Sequence, residues 1–262
     1  MSFETLEITQ DDAIATVWMN RPAFHNAFNE TLINELTQAF SQLGQDDSVR
    51  VIVLAGRGKS FSAGADLDWM KRAAGYTIEQ NRADADKLAA MLKTIYRCPK
   101  PTVARVHGAA FGGGTGLTAV CDIAIASDAA VFSLSEVRLG LIPATIGPYV
   151  ADAIGWRQAR RYFLSAERMD AATAMRIGLV HETVVAEALD SRLQTVCAEL
   201  LKGGPAAQHA AKDLLEGLRQ GHPFDDNLLE DTAQRIAAIR ATAEAREGLS
   251  AFFEKRPAAW LA

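Results

Sequence analysis

Apolar and polar residues alternate over Phe3–Thr9 and again over Ile14–Met19, with Asp11-Asp12 between them. Period-two patterning around a turn dipeptide predicts a β-hairpin. Asn20-Arg21-Pro22 ends it. From Asn29-Glu30 the period lengthens, and Leu32, Ile33, Leu36, Ala39, Phe40 and Leu43 fall on one helical face, with Gly44 suited to the helix end. Val49–Ala55 is continuously apolar and reads as a buried strand. A strand, a helix and a further strand form a crossover unit. Ile78–Tyr96 is a long amphipathic helix with Leu88, Met91, Leu92 and Ile95 on one side, stopped at Cys98-Pro99. The pattern beyond residue 150 predicts helices over Gly155–Leu164, Asp170–Arg176, Ala186–Leu201, Pro205–Leu218, Phe224–Arg240 and Ala243–Phe253. One short strand is expected at Leu179–Val184.

The chain is organised around Val106–Val150. A buried strand, Pro101–Val106, leads into Gly112-Gly113-Gly114, after which the pattern turns helical through Leu117–Cys121. Two more apolar runs, Asp122–Ala126 and Ala130–Leu134, lead to Glu136, an acid in apolar surroundings. A glycine turn lets backbone approach a ligand closely. The helix start behind it offers unpaired N–H groups and a positive dipole end. Such a site suits a developing oxyanion. The same run also fits a tight strand-to-helix turn with packing glycines. A second helix start of this kind is expected at Phe61-Ser62-Ala63-Gly64-Ala65-Asp66-Leu67, where Asp66 and Asp68 make the first turn acidic.

Composition narrows the function. The 262 residues carry a net charge of −5 without a polybasic stripe, which argues against nucleic acid or an anionic membrane as partner. No apolar run reaches spanning length. The first residues lack a charged region followed by an apolar one, so no signal peptide is expected. Cys98, Cys121 and Cys197 lie far apart without metal spacing, which points to reduced thiols in a cytoplasmic setting. Gly58-Lys59-Ser60 lacks the earlier glycine of a P-loop, since Val53 stands there. His181-Glu182 has no second histidine four residues on, so no zinc helix is expected. No G-x-S-x-G or G-x-G-x-x-G is present.

Several segments, taken in order, resemble the enoyl-CoA hydratase/isomerase (crotonase) superfamily. They are Asn20-Arg21-Pro22 with Asn26-Ala27, Phe61–Leu67, His107–Asp122, Glu136–Pro143 and Phe253-Glu254-Lys255-Arg256-Pro257. The resemblance implies an α/β spiral of ββα units over residues 1–200 and a helical region over 201–262 that supports a homotrimer or hexamer. It implies an acyl-CoA substrate, with coenzyme A as part of that substrate, no separate cofactor and no metal. Its oxyanion hole falls on the backbone N–H groups of Ala65 and Gly113, and its acid/base on Glu136. Its CoA contacts fall on His25, Ala63, Asp66, Leu67, Gly112 and Lys255. Position 25 is often basic in the family, so His25 makes that contact weaker or pH-dependent, and Lys255 is expected to reach CoA phosphates, in some members across subunits.

This chain departs from the family at one point of the chemistry. The first of the two usual glutamates corresponds to Gly116, and Ala144 and the residues after it differ from the usual glycine-rich run. One carboxylate suffices if water adds from a single face, since it can take a proton from water and return one to C2. Moving a double bond needs only one base as well. The run Leu134–Tyr149 resembles hydratases of methylglutaconyl-CoA and carboxygeranoyl-CoA, which implies a branched carboxylated 2-enoyl-CoA and a place in leucine or terpene breakdown. A Δ3-Δ2 isomerase using the same residues and a non-catalytic acyl-CoA or RNA binder are the alternatives. Ser133-x-x-Glu136 also fits a capping box, which would make Glu136 structural. Asp66 reads as a helix-start acid, and Arg138 as a partner for a substrate carboxylate or a surface ion pair.

Overall fold

A computed structural model describes residues 3–220 and 225–261. The hairpin forms as β1 (Leu6–Asp11) and β2 (Ile14–Met19), paired antiparallel from Leu6 opposite Met19 to Asp11 opposite Ile14. Helix α1 (Glu30–Gln45) begins where Asn29 Oδ1 accepts from the Leu32 N–H at 2.9 Å. It crosses over to β3 (Val51–Gly56), which runs parallel to β2. Helices α2 (Leu67–Ala73) and α3 (Ile78–Tyr96) follow, the latter opened by a Thr77–Gln80 capping box.

β3 shows how the period of a strand divides the interior. Ile52 and Leu54 face α1 and α3, while Val51, Val53 and Ala55 face the opposite side, where α7 (Leu189–Leu201) supplies Leu189, Val196 and Cys197. Both faces are covered, so the strand is apolar throughout rather than alternating.

The chain then moves between two sheets. β4 (Thr102–Val106) joins the large sheet, and β5 (Ala109–Phe111) starts a small one. Helix α4 (Gly113–Val120) returns the chain to β6 (Ile123–Ser127) in the large sheet, and β7 (Val131–Ser133) pairs with β5 in the small one. Two strands and a helix repeat as a turn of a spiral, as the resemblance implied. The large sheet reads β1-β2-β3-β4-β6-β9 and the small one β5-β7-β8, with β8 at Met169–Asp170 and β9 at Glu182–Val184.

Three expectations are corrected, and one strand is added. β5 was hidden in the sequence because three residues between glycines carry no readable period. α4 starts at Gly113 rather than Leu117, since the glycines form its first turn. α5 (Gly147–Ser165) starts eight residues before the expected Gly155, which instead bends it with φ 74°. The strand expected at Leu179–Val184 shrinks to β9, with Leu179 and Val180 buried in the turn before it.

After α6 (Ala171–Arg176) and α7, three helices complete the chain: α8 (Pro205–Gln220), α9 (Asp226–Arg240) and α10 (Ala243–Glu254). Phe224, where a helix start was expected, lies outside the described residues, and Asp225 caps α9. Lys212 ties α8 to the core through Asp122 at 2.7 Å. Among the described residues no helix is long and apolar enough to cross a membrane.

Candidate active site

Three chain segments meet at the C-terminal ends of β3, β4 and β5. The loop Phe61–Asp66 is threaded between Phe28 and β5. The Phe28 N–H donates to the Gly64 carbonyl at 2.7 Å, and the Asp66 N–H donates to the Phe28 carbonyl at 2.8 Å. On the other side the Ser62 N–H donates to Ala109 at 3.1 Å and the Phe111 N–H to Ser62 at 2.9 Å. Loop and glycine run are thereby drawn together. A Cβ on Gly64 would lie 3.0 Å from the Phe111 carbonyl oxygen and 3.9 Å from the Gly112 Cα. Gly64 has φ +92° and Gly112 φ +49°, so glycine is required at both for backbone conformation as well as for space.

The two N–H groups next to this pinch belong to Ala65 and Gly113. Neither has a hydrogen-bond partner among the described residues. Gly113 opens α4, so its N–H also carries the positive end of that helix. Unpaired donors held by rigid flanking bonds are what a growing thioester oxyanion needs, because no reorganisation follows when the charge appears.

Glu136 stands against the same glycines. Its Oε1 lies 3.1 Å from where a Gly112 Cβ would be, and its Oε2 is buried with no hydrogen-bond partner. Burial raises the Glu136 pKa above the usual carboxylate range, because desolvation disfavours the charged form. The capping-box alternative does not form. Ser133 ends β7 and donates its hydroxyl to the Ala166 carbonyl at 3.2 Å, and Leu134 is the cap of the short 3-10 helix Ser135–Leu139. The Glu136 carboxyl therefore caps no helix start, and it lies against the glycine turn.

The other expected positions divide. Ala63 and His25 belong to the same wall, since the Ala63 N–H donates to the His25 carbonyl at 2.9 Å and His25 Nδ1 lies 3.0 Å from Ser60 Oγ. His25 is exposed, and Leu67 is 73% exposed at the start of α2, so the outer side of this loop is open to a ligand. Asp66 behaves differently. Its Oδ1 accepts from the Asp68 and Trp69 N–H groups at 2.9 and 3.2 Å, and its Oδ2 pairs with Arg21 Nη2 at 2.9 Å. Burial alone would raise its pKa, but the Arg21 bond and the two N–H bonds outweigh it and hold the carboxyl below its ordinary value. Both oxygens are occupied from within, so Asp66 fixes the loop rather than facing a ligand.

Lys255 is not brought to the site of its own chain. It caps α10 with φ 55°, and the tail that follows is anchored by Arg50, whose guanidinium donates to the Trp260 and Gly203 carbonyls. Arg50 precedes β3, so this anchor lies at the opposite end of the strands from Gly64 and Gly112. Arg138 is exposed and has no ion pair among the described residues.

Three further residues build the site without having stood out by type. Asn26 is fully buried and joins three segments: its Oδ1 accepts from Arg21 N–H at 2.9 Å, and its Nδ2 donates to the Arg57 and Ser60 carbonyls at 2.9 and 2.8 Å. The ring of Phe28 fills the space a Gly113 side chain would need, 2.4 Å from that Cβ position. Ile146 does the same at Gly116, with its Cγ2 2.2 Å from the Cβ position. Asn26 and Phe28 had a signal in their closeness to Asn20-Arg21-Pro22; Ile146 had only its departure from a glycine-rich run.

A cleft of about 1110 Å³ lies between α3 and the segment after the 3-10 helix, lined by Ile78, Arg82, Asp86, Leu141, Ile142 and Ala144. The Leu141 N–H donates to the Glu136 carbonyl at 3.0 Å, which couples the cleft wall to the acid.

The family described as Enoyl-CoA hydratase/isomerase matches residues 9–262. An enoyl-CoA hydratase crystal structure from Shewanella pealeana superposes with a TM-score of 0.95 at 44% identity, covering 98% of this chain and 96% of that one. AtuE of Pseudomonas aeruginosa gives 0.94 at 37%, covering 99% of this chain and 100% of that one. Crotonyl-CoA hydratase of Syntrophomonas wolfei is 30% identical over 261 residues, with 98% of each chain covered. The fold is thus the crotonase fold.

Proposed function

Because the chain belongs to the enoyl-CoA hydratase/isomerase family, we propose that it adds water to a 2-enoyl-CoA thioester, with Glu136 as sole acid/base and the Ala65 and Gly113 N–H groups as oxyanion hole. The observation that carries this reading is the Glu136 carboxyl, whose Oε2 is buried without a partner and whose Oε1 lies against the turn that presents those donors. Glu136 removes a proton from water as the oxygen bonds to C3. The C2–C3 electron pair moves toward the carbonyl, and the negative charge reaches the thioester oxygen between the two N–H groups. Glu136 then returns the proton to C2, so one group serves both steps on one face. Its raised pKa makes it a better acceptor than a solvated carboxylate.

A branched carboxylated acyl group of the 3-methylglutaconyl type is the substrate we assign. The likeness of Leu134–Tyr149 to hydratases of that type supports it. So does Arg82 in the cleft, whose ion pair with Asp86 is exposed and weak enough to be exchanged for a substrate carboxylate. Three free, buried cysteines fit a reducing cytoplasm. Exposed apolar side chains, among them Trp156, Leu164, Phe252 and Phe253, support assembly into trimers, where Lys255 would reach a neighbouring copy.

The test is mass analysis of the purified protein incubated with 3-methylglutaconyl-CoA, in parallel with its Glu136→Gln variant. The expected result is the gain of one water, lost with Glu136→Gln by about 10²–10⁴-fold. Full turnover in that variant would overturn the assignment. Gly116 in place of a second carboxylate favours one further reading, a double-bond shift on a 3-enoyl-CoA, which is recognised by a product of unchanged mass.

A further inference from the structure

Gly112 caps α4 with φ +49°, and Gly116 lies in the first turn of that helix, its N–H donating to the Gly112 carbonyl at 3.1 Å. The Glu136 carboxyl occupies the side-chain position of Gly112, and Ile146 occupies that of Gly116. Ile146 is 2% exposed and is the cap residue of α5, with its carbonyl accepting from the Val150 N–H at 3.1 Å. Its β-branch is thus fixed by the start of α5. Its Cγ2 and Cβ lie 2.2 and 2.8 Å from the Gly116 Cβ position, so any side chain at 116 is excluded while Ile146 is present.

We propose that Ile146 is a positioning residue for the reaction: seated on Gly116, it seals the α4 side of the site with hydrocarbon, excludes a second acid and unbound water, and leaves Glu136 in sole control of the proton. The proposal rests on Glu136 being the acid/base. Its physical basis is that the Glu136 Oε2 has no partner of its own, so the polarity of its neighbours governs its hydration. A methyl group one turn away supplies neither donor nor room for water. Burial raises the Glu136 pKa, which is the direction a hydrocarbon neighbour favours.

The pH dependence of kcat/KM for Ile146→Ala, Ile146→Val and Glu136→Gln tests this. Opening the wall lets water reach Glu136 and favours its charged form, so the acid limb of Ile146→Ala is expected at lower pH than in the unmodified protein. Ile146→Val, which loses one methyl group and keeps the β-branch, is expected to shift the limb in the same direction by less, and serves if Ile146→Ala does not fold. A limb that stays in place in the folded variants would overturn the proposal and leave Ile146 as packing. Turnover retained by Glu136→Gln would instead overturn the acid/base reading itself. A double-mutant cycle gives the steric half: Gly116→Ala and Ile146→Gly are each expected to lower the melting temperature, and the double variant to lose less than their sum, because the added methyl group enters space that Ile146 has left. Additive effects would show that the two residues do not share the space.

Discussion

Asp66 separates a loop-fixing role from a ligand-binding one. Its ion pair with Arg21 spans 2.9 Å, with side chains only 9% and 12% exposed, and its other oxygen caps α2. Breaking a buried pair costs about 3–5 kcal/mol, and losing a cap costs about 1. Arg21 keeps its bond to the Ala27 carbonyl, so Asp66→Ala is expected at the low end, about 3–4 kcal/mol. Asp66→Asn keeps the cap oxygen and removes only the charge, so its expected cost is about 1.5–3 kcal/mol. Urea unfolding at neutral pH measures both. The sign of the pH dependence follows from the lowered pKa. The stabilisation is present above the unfolded carboxyl value of about 3.9 and disappears as pH falls through the lower folded value. The gap between the unmodified protein and Asp66→Ala should therefore close in acid. Turnover should fall in both variants, because the Asp66 N–H bond to Phe28 holds Ala65 next door. Unchanged urea midpoints, together with a raised KM for the CoA ester, would refute the reasoning and place Asp66 against the ligand.

Glu136→Gln should stabilise the fold near neutral pH while removing activity. The folded carboxyl titrates above the unfolded one, so the folded chain binds the proton more tightly, and stability declines as pH rises from about 4.3 through the folded value. The neutral amide avoids that cost, and thermal melts at pH 5 and 8 would show a gain that is larger at pH 8; an equal gain at both would contradict the burial argument. Gly113→Ala should lose about 1–3 kcal/mol by overpacking against the buried Phe28 ring. Turnover should drop with it, since Phe28 clamps the loop that carries Ala65, and melting and activity like those of the unmodified protein would show that the ring moves freely.

Periodicity alone located the hairpin, α1, β3, α3 and most of the C-terminal helices, because each has a long face with one environment. β3 was legible as buried because both of its faces are covered, by α1 and α3 on one side and by α7 on the other. The glycine run, Gly64-Ala65 and Glu136 could be singled out because helix starts, left-handed backbone and isolated acids leave marks in residue type. Their meeting could not be read that way. It depends on Phe28 and Ser62 sewing the loop to β5, a three-residue strand too short to carry a period. Tertiary structure also decided which acid keeps an oxygen free of internal partners. Asp66 and Glu136 look alike in sequence, yet one has every oxygen occupied and the other has a buried oxygen with no partner. The same holds for Gly116 and Ile146. Thirty residues separate them along the chain, and only the packing of α5 on α4 makes the absence of one side chain the condition for the presence of the other.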